Sequence, residues 1–213
     1  MAVTSSDRKK VVLAKPLSVV GGVFVAEKGA FASVTSVPEA APEGAETLGF
    51  ITSDAVTRTV DRSAENVYAW GGYLLAVAIS EVAVNVTFNC AEYLNQPAQE
   101  LLYGSANVTV DDSTGLMSIS GKLSTLPDHV SIMVLVKSEN ADGCIIYDDF
   151  QCVEFEDVQL QETEPTVVPI NGVAYANESG ENFREYWKSD TLKAATTDPV
   201  DDNSETTDPV DGE

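Results

Sequence analysis

The side chains best suited to chemistry in this sequence are one histidine and a group of carboxylates. His129 lies in TLPDHV, just before an apolar run that predicts a strand, and Asp128 precedes it. Neighbours in a strand point to opposite faces, so this pair does not predict a catalytic unit. A Ser-His-Asp or Cys-His mechanism would have to use His129, and the two-histidine metal motifs need a second histidine. We interpret His129 as a turn residue.

The carboxylates cluster in and after the segment CIIYDDFQCVEFEDV at 144–158. A glycoside hydrolase needs two carboxylates across a cleft, with the pKa of one raised. Asp148, Glu154 and Glu156 instead share a parity along one predicted strand, which indicates an acidic face. Such a face is typical of a solvated or partner-facing surface. A carboxylate-based hydrolase remains an alternative, and it requires Asp148 or Glu154 to lie in a cleft.

Cofactor and metal motifs are not recognisable in the sequence. It has no GxGxxG, no P-loop and no complete EF-hand loop, since DDSTG lacks the later calcium ligands. Its three cysteines are Cys90, Cys144 and Cys152, an odd number without a CxxC pair, which favours neither zinc nor a disulfide framework. Cys144 and Cys152 could pair across a hairpin, but unpaired thiols fit a reducing compartment better. We therefore predict no catalytic, cofactor-binding or metal-binding residues.

The charge of the chain restricts its partners. The 213 residues contain 12 Lys and Arg against 34 Asp and Glu, a net charge of −22. Such a chain does not bind DNA or an anionic membrane by releasing counterions. It can repel DNA, which is useful wherever DNA has to move past without binding.

The residue pattern predicts a mainly β fold. From 80 to 90, Val82, Val84, Val86, Phe88 and Cys90 alternate with polar and small residues, as in a half-buried strand. The helix signal is confined to 95–103, with Asn95 as N-cap, Pro97 in the first turn and Gly104 after the end. Further strands are predicted at 17–26, 48–60, 106–110, 116–123, 130–137, 144–158 and 166–178. This order predicts a β-sandwich or partly closed barrel with one short flanking helix.

Three segments flank or interrupt this predicted 16–180 domain. Residues 1–15 are polar and basic and predict a flexible arm. The apolar run after Arg8 is broken by Lys15-Pro16, so a secretory signal is not expected. Residues 29–47 contain prolines and glycine without a clear period and predict a long loop with a function of its own. Residues 181–213 predict an acidic disordered tail, with TTDPVD at 196–201 and again at 206–211.

The stretch DAVTRTVDRSAENVYAWGG at 54–72 has the chemistry of a contact surface. It offers no base, nucleophile pair or set of metal ligands at a usable spacing. We predict Arg58, Asp61, Arg62 and Glu65 as ion-pairing groups between subunits, because such groups fix register and orientation. Tyr68 and Trp70 are candidate interface anchors, with core packing of Trp70 as the alternative. The glycine pair at 71–72 predicts a turn into the next strand.

The order of these features resembles the major tail tube proteins of long-tailed, non-contractile bacteriophages. LGFITSDAVTRTVDRSAENVYAWGG is followed by SEVAVNVTFNCAEYLNQPAQELLYG, an alternating strand that runs into a short helix ending in Tyr-Gly. The resemblance covers about 15–178 in the order of elements and 48–104 in local detail. GYLLAVAIS is more apolar than a strand facing a wet channel should be, so we expect it inside the sandwich or at an interface.

The resemblance implies a structural virion protein made in the host cytoplasm, without enzymatic activity. Homo-hexameric rings would stack into a tube lined by a continuous β-barrel, through which DNA passes without specific binding. It implies a tape measure protein, a tail terminator and tail-tip proteins as partners, and no membrane. Residues 1–15 and 29–47 would contact neighbouring copies. The acidic face of Asp148, Glu154 and Glu156 would then be a candidate for the channel lining.

The alternative hypothesis is a secreted immunoglobulin-like adhesion module. Its acidic C-terminal tail, rich in threonine and proline, would serve as a stalk. That reading requires processing of the N-terminus near residue 26.

Overall fold

The computed structural model describes residues 10–18 and 21–193. Most of the predicted 1–15 arm and both TTDPVD copies lie outside the described residues. The described chain forms these elements: β1 (Lys15–Pro16), β2 (Val23–Glu27), β3 (Glu46–Thr47), β4 (Thr57–Tyr68), β5 (Leu74–Cys90), α1 (Gln96–Tyr103), β6 (Val108–Asp111), β7 (Leu116–Ile119), β8 (Val130–Lys137), β9 (Asp142–Glu154), β10 (Val168–Ala174) and β11 (Arg184–Lys188).

One large antiparallel sheet organises the molecule. Its strands follow the order β3-β2-β8-β9-β10-β5-β4, with β1 added to β8 and β11 added to β9. The short strands β6 and β7 form a separate pair. The prediction of a mainly β chain with one short α-helix is confirmed for the described residues. Neither sheet closes on itself there, so a barrel is not seen in the single chain.

The main core lies on one face of this sheet. The predicted inward face of β5 is confirmed for Val84, Val86, Phe88 and Cys90, which are buried, whereas Val82 is about half exposed. It packs with β2, β8, β9 and β10 and with the apolar side of α1. A smaller cluster on the opposite face of β8 and β9 is covered by segment 29–47. The middle strands are thus covered on both faces, which explains their nearly continuous burial.

The helix follows the prediction closely. The Asn95 side chain accepts a hydrogen bond from the Ala98 amide at 3.0 Å, which satisfies one of the free N–H groups of the first turn. Gly104 ends the helix with a φ of 88°, a conformation that favours glycine. Leu101 and Leu102 are buried against the sheet. The helix therefore fixes the connection from β5 to β6.

The predicted strand at 48–60 is wrong as a continuous element. Ile51 forms an isolated bridge with Cys90, but the chain then turns, and the Ala55 amide donates to the Thr52 carbonyl at 3.0 Å. Regular pairing resumes only at Thr57 and continues to Tyr68. The charged stretch expected to be a loop or joint is therefore mostly a 12-residue strand. Its threonines and valines decide the local structure despite the charges between them.

The segments beside the predicted domain are more closely tied to it than expected. In the 29–47 segment Phe31 is buried, and β3 at its end pairs with β2. The prediction of a tail from 181 sets the boundary too early, because β11 pairs with β9 along Asp142–Ile146. Lys15 and Pro16, at the end of the predicted arm, pair with Lys137 and Val136 of β8.

Candidate assembly surface

A two-stranded ribbon projects from the sheet. Strand β10 pairs with β5 as far as the Val173–Asn85 position. Beyond it, residues 74–84 of β5 pair only with β4. We call residues 60–84 the ribbon. At about 3.3 Å per residue, it extends about 35 Å from the last position shared with β10.

The ribbon presents unpaired backbone groups along both sides. Strand β4 is the last strand of the sheet, and its outer edge pairs with nothing in the described chain. The outer edge of β5 is equally open over 74–84. Long open edges are templates for pairing with a further strand, and monomeric proteins usually block them. The ribbon therefore has one open edge on each side, and each edge presents both N–H donors and C=O acceptors.

The register gives the ribbon two different faces. Directly opposed residues share a face, and Val60 opposes Val84, whose side chain is buried in the core. The same face continues through the opposed pairs Arg62–Val82, Ala64–Ile79 and Asn66–Val77. Four of the large aliphatic side chains on it beyond the core are each about half exposed: Val60, Val77, Ile79 and Val82. We call this the apolar face, and it continues the core surface out into solvent.

The opposite face of the ribbon is acidic over residues 61–65, beyond which Val67 opposes Ala76. Asp61 opposes Ala83, Ser63 opposes Glu81, and Glu65 opposes Ala78. We call this the acidic face. Ser80 is an extra residue in β5 without a partner in β4, so the pairing shifts there by one position. Ile79 therefore lies on the same face as Val82. Two-faced character of this kind is what a strand pair needs if one side contacts protein and the other contacts water.

The tip of the ribbon is aromatic and uncharged. The Ala69 amide donates to the Tyr73 carbonyl at 2.7 Å, and the turn passes through Gly71 and Gly72 at φ values of 107° and 84°. The predicted glycine turn is confirmed. Trp70 is fully exposed, at 105% of its reference area, so the alternative of core packing does not hold in the single chain. The 13 residues 68–80 contain no charged side chain, and an exposed apolar patch of this extent marks an interaction site.

The predicted interface residues separate into two groups. Arg58 is engaged within its own chain, in an ion pair with Glu185 and 3.9 Å above the Phe183 ring. Burial alone would raise the pKa of Glu185, but hydrogen bonds from Arg58 and Trp187 lower it. Arg58 therefore fastens the base of the ribbon to β11.

The other predicted interface residues lie on the ribbon itself. Asp61 accepts a hydrogen bond from Asn85 at 3.0 Å, and Tyr68 is 57% exposed. Arg62 and Glu65 form no ion pair with any described residue. These two charges are thus available to a partner.

The structure does not bring the three predicted acidic-face residues together as an exposed surface. Asp148 is 8% exposed and forms an ion pair with Arg184 at 2.7 Å. Glu154 is the last residue of β9 and is exposed, and Glu156 lies beyond the strand. A shared parity in the sequence did not give a shared environment, because β11 places Arg184 beside Asp148, whereas Glu154 lies opposite Asn171 at the end of β9.

His129 contacts a different carboxylate from the one beside it in sequence. Its Nδ1 lies 2.5 Å from Asp149 Oδ1, and Lys28 Nζ lies 2.6 Å from Asp149 Oδ2. Burial alone would raise the pKa of Asp149, but the hydrogen bonds from Lys28 and His129 lower it. The predicted position of His129 before a strand is confirmed, and the cluster ties β2, β8 and β9 together.

The cysteines are buried and free. Cys144 and Cys152 lie on the same strand, eight residues and about 26 Å apart, so they cannot be bridged. Burial raises the pKa of Cys90 to about 12 and the pKa values of Cys144 and Cys152 to about 11. The interpretation of these cysteines as unpaired core thiols is confirmed.

No protein-family model matches this chain, and no curated protein is significantly similar to it. Over the described ranges 10–18 and 21–193, no helix is long and apolar enough to cross a membrane. Within the same ranges no group of three or more histidine, cysteine or acidic side chains could hold a metal ion.

Sequence reasoning missed the ribbon as a separate unit. The signal was available in GYLLAVAIS, which is too apolar for a strand facing a wet channel and was expected inside the sandwich or at an interface. In the single chain it is exposed instead, with Leu75 at 67% and Ile79 at 59%. An apolar strand pair without its own cover is what an obligate contact between copies leaves open.

Proposed function

We propose that this protein is the tube-forming subunit of a long, non-contractile phage tail. Six copies form a ring, and rings stack into a conduit for DNA within the virion. The observation that carries the proposal is the ribbon, which combines two open edges with one uncovered apolar face. The order of sequence motifs supports it independently. The proposed partners are further copies of the chain and the tape measure, terminator and tip proteins of a tail.

Ring closure follows from the two edges of the ribbon. The β4 edge of one copy pairs with the β5 edge of the next, and this head-to-tail contact repeats until the ring closes by rotation. Successive ribbons then form a continuous barrel without free edges. In this arrangement the body of each copy is a sandwich-like domain outside the barrel, with α1 on its flank.

The two faces of the ribbon assign the inside and the outside of the barrel. The acidic face, with Asp61, Glu65 and Glu81, lines the channel, where negative charge keeps DNA from adhering. The apolar face packs outward against the bodies of the subunits. This assignment moves the channel lining from β9 to the ribbon, because Asp148 is paired with Arg184 in the interior.

The test is direct observation of assembly. Purified protein is concentrated stepwise and followed by light scattering and negative-stain microscopy, at low and moderate salt. Rings of six copies and stacked tubes are expected, more readily at moderate salt, because screening reduces repulsion between chains of charge −22. A protein that stays monomeric at every concentration and salt level would refute the proposal.

A matched pair of variants tests the ribbon itself. Val77→Asp with Ile79→Asp places two charges on the apolar face and should abolish rings, while the circular dichroism spectrum stays unchanged. Leu94→Asp with Leu160→Asp adds the same charge at positions that are 79% and 78% exposed elsewhere on the surface. Loss of rings in both double variants would show that added charge alone blocks assembly, which would count against a specific role for the ribbon.

A further inference from the structure

A cavity of about 420 Å³ opens at the base of the ribbon. Its walls include Pro16, Phe50, Ile51, Tyr147 and Trp187, so they are mainly apolar and aromatic. A pocket with this lining suits a large aromatic side chain, and tryptophan and tyrosine are the residues that most often anchor protein interfaces in such pockets.

The wall of this cavity contains a buried polar atom and two cationic side chains. The Thr52 hydroxyl oxygen is buried at the wall and has no hydrogen-bond partner in the described chain. Buried polar atoms are nearly always partnered in complete structures. The charged residues among the described lining are Lys15 and Arg58, both cationic. They stand out in a chain of charge −22.

The tip of the ribbon complements this cavity. Trp70 and Tyr73 project at the turn with 105% and 78% exposure. The tip is uncharged over 68–80, so it can approach another copy without the repulsion that acidic surfaces bring. Arg58 is already engaged with Glu185 and Phe183, but Lys15 forms no ion pair with any described residue, so its ammonium group can attract an aromatic ring placed beside it.

The tip of one chain cannot occupy its own cavity. Arg58 lines the cavity, and Trp70 lies in the turn beyond β4, after ten residues of strand from Arg58 to Tyr68 that alone span about 33 Å. The contact therefore needs a second copy, in a head-to-tail arrangement. Because the tip points away from the body along the ribbon, such a contact joins copies along the ribbon direction instead of side by side.

We propose that the Trp70–Tyr73 tip of each copy inserts into the cavity at the ribbon base of a copy in the next ring. This inference rests on the proposed function, because it supplies the stacking contact between rings. Lateral contacts through the ribbon edges make the ring, and the aromatic tip joins one ring to the next.

The experiment separates stacking from ring formation. Trp70→Ser removes the anchor, and Ala14→Trp fills the cavity from its exposed rim. Each variant is examined by light scattering and negative-stain microscopy beside the wild type and the surface control Leu94→Ser. We expect six-copy rings in all four proteins, and at least a tenfold loss of tubes in the first two only.

A photo-crosslinking amino acid at position 70 identifies the contact directly. After assembly of this variant into tubes, mass spectrometry should find cross-links from position 70 to peptides that contain Pro16, Phe50 or Trp187. The same amino acid at position 94 serves as the control and should not reach these peptides.

The outcomes distinguish the two proposals. Normal tubes from both cavity and tip variants, or cross-links from position 70 only to other sites, would overturn the stacking contact and leave ring formation standing. Rings lost together with tubes in Trp70→Ser would also overturn it, because the tip would then act within the ring. A wild type that forms neither rings nor tubes would overturn the proposed function and the inference with it.

Discussion

Removing the Arg184 side chain should loosen the 29–47 segment from the body. The guanidinium forms two hydrogen bonds with the Asp148 carboxylate, at 2.7 and 3.0 Å. It also donates to the carbonyls of Phe31 and Val34, both at 3.0 Å. One side chain therefore joins β11, β9 and the segment predicted to contact neighbouring copies. Its bonds with Asp148 raise the pKa of Arg184, so the charge is permanent in the folded state.

The expected loss follows from the burial of the pair. The side chains of Arg184 and Asp148 are 13% and 10% exposed. Removing one partner of a buried ion pair costs about 3–5 kcal/mol, because the other charge stays buried without compensation. Residual exposure places Arg184→Met near the lower end, at about 3 kcal/mol. With an m-value of about 2 kcal/mol/M in urea, the unfolding midpoint should fall by about 1.5 M.

The assay is urea unfolding at pH 7, followed by tryptophan fluorescence and circular dichroism. Arg184→Lys keeps the charge but not the two-pronged geometry, so its loss should be intermediate. Arg184→Met combined with Asp148→Asn should be less destabilising than Arg184→Met alone, because no unpaired charge is then buried. Limited proteolysis should cut Arg184→Met within 29–47 and spare the wild type.

Two results would refute this reasoning. A loss below about 1 kcal/mol for Arg184→Met would mean that the pair behaves like an exposed one. A double variant that loses the full sum of the two single losses would mean that the two side chains are not coupled.

Three further predictions concern the ribbon base, the acid limb of stability and the sheet. Arg58→Ala should lower the free energy of unfolding by about 1–2 kcal/mol, since it removes an ion pair and a cation–π contact. Arg62→Ala should change the free energy of unfolding by no more than about 0.5 kcal/mol and should reduce ring formation. Equal unfolding midpoints for the two variants would contradict this. The pKa of Asp149 is lowered from 3.8, so its contribution to stability is present above that pH and is lost as the pH falls through the lowered pKa. Asp149→Asn should therefore flatten the acid limb of a stability–pH curve. An unchanged slope would count against a stabilising role for the contacts of Asp149 with Lys28 and His129. Gly172→Ala would place a Cβ 2.2 Å from a buried phenylalanine ring and 2.4 Å from a carbonyl oxygen, which should lower the free energy of unfolding by about 1–3 kcal/mol or more. In the control Gly121→Ala the added Cβ meets nothing within 4 Å, so the thermal midpoint should change by no more than about 2 °C.

Local patterns were sufficient for much of the fold. The alternation from Val84 to Cys90 predicted which face of β5 is buried, because a strand places every second side chain on the same side. Asn95 and Gly104 predicted the helix ends, because a side-chain cap and a positive φ are requirements of those few residues alone. The odd number of cysteines and the absence of a CxxC pair favoured neither zinc nor a disulfide framework, and the three thiols are free.

Sequence patterns were less informative where the same residues are compatible with two different local structures. The stretch at 54–72 has charges typical of a loop and β-branched residues typical of a strand, and its pairing with β5 decides between them. The 48–60 strand failed because the turn around Ala55 leaves no strong local signal. Segment 29–47 reads as a free loop, yet a buried Phe31 and the distant Arg184 hold it to the sheet.

The sequence by itself determined that the protein is acidic, mainly β and built from short-range patterns with one capped helix. Only the tertiary structure decided which of its surfaces are left uncovered. GYLLAVAI looks like core because its composition is apolar, and Asp148 looks like surface because it is charged. The strand order reverses both expectations. Strand β10 pairs with β5 only as far as Asn85 and leaves the ribbon open, while β11 places Arg184 against Asp148. Burial depends on which strands are neighbours, and that is a property of distant pairings which residue type and spacing do not encode.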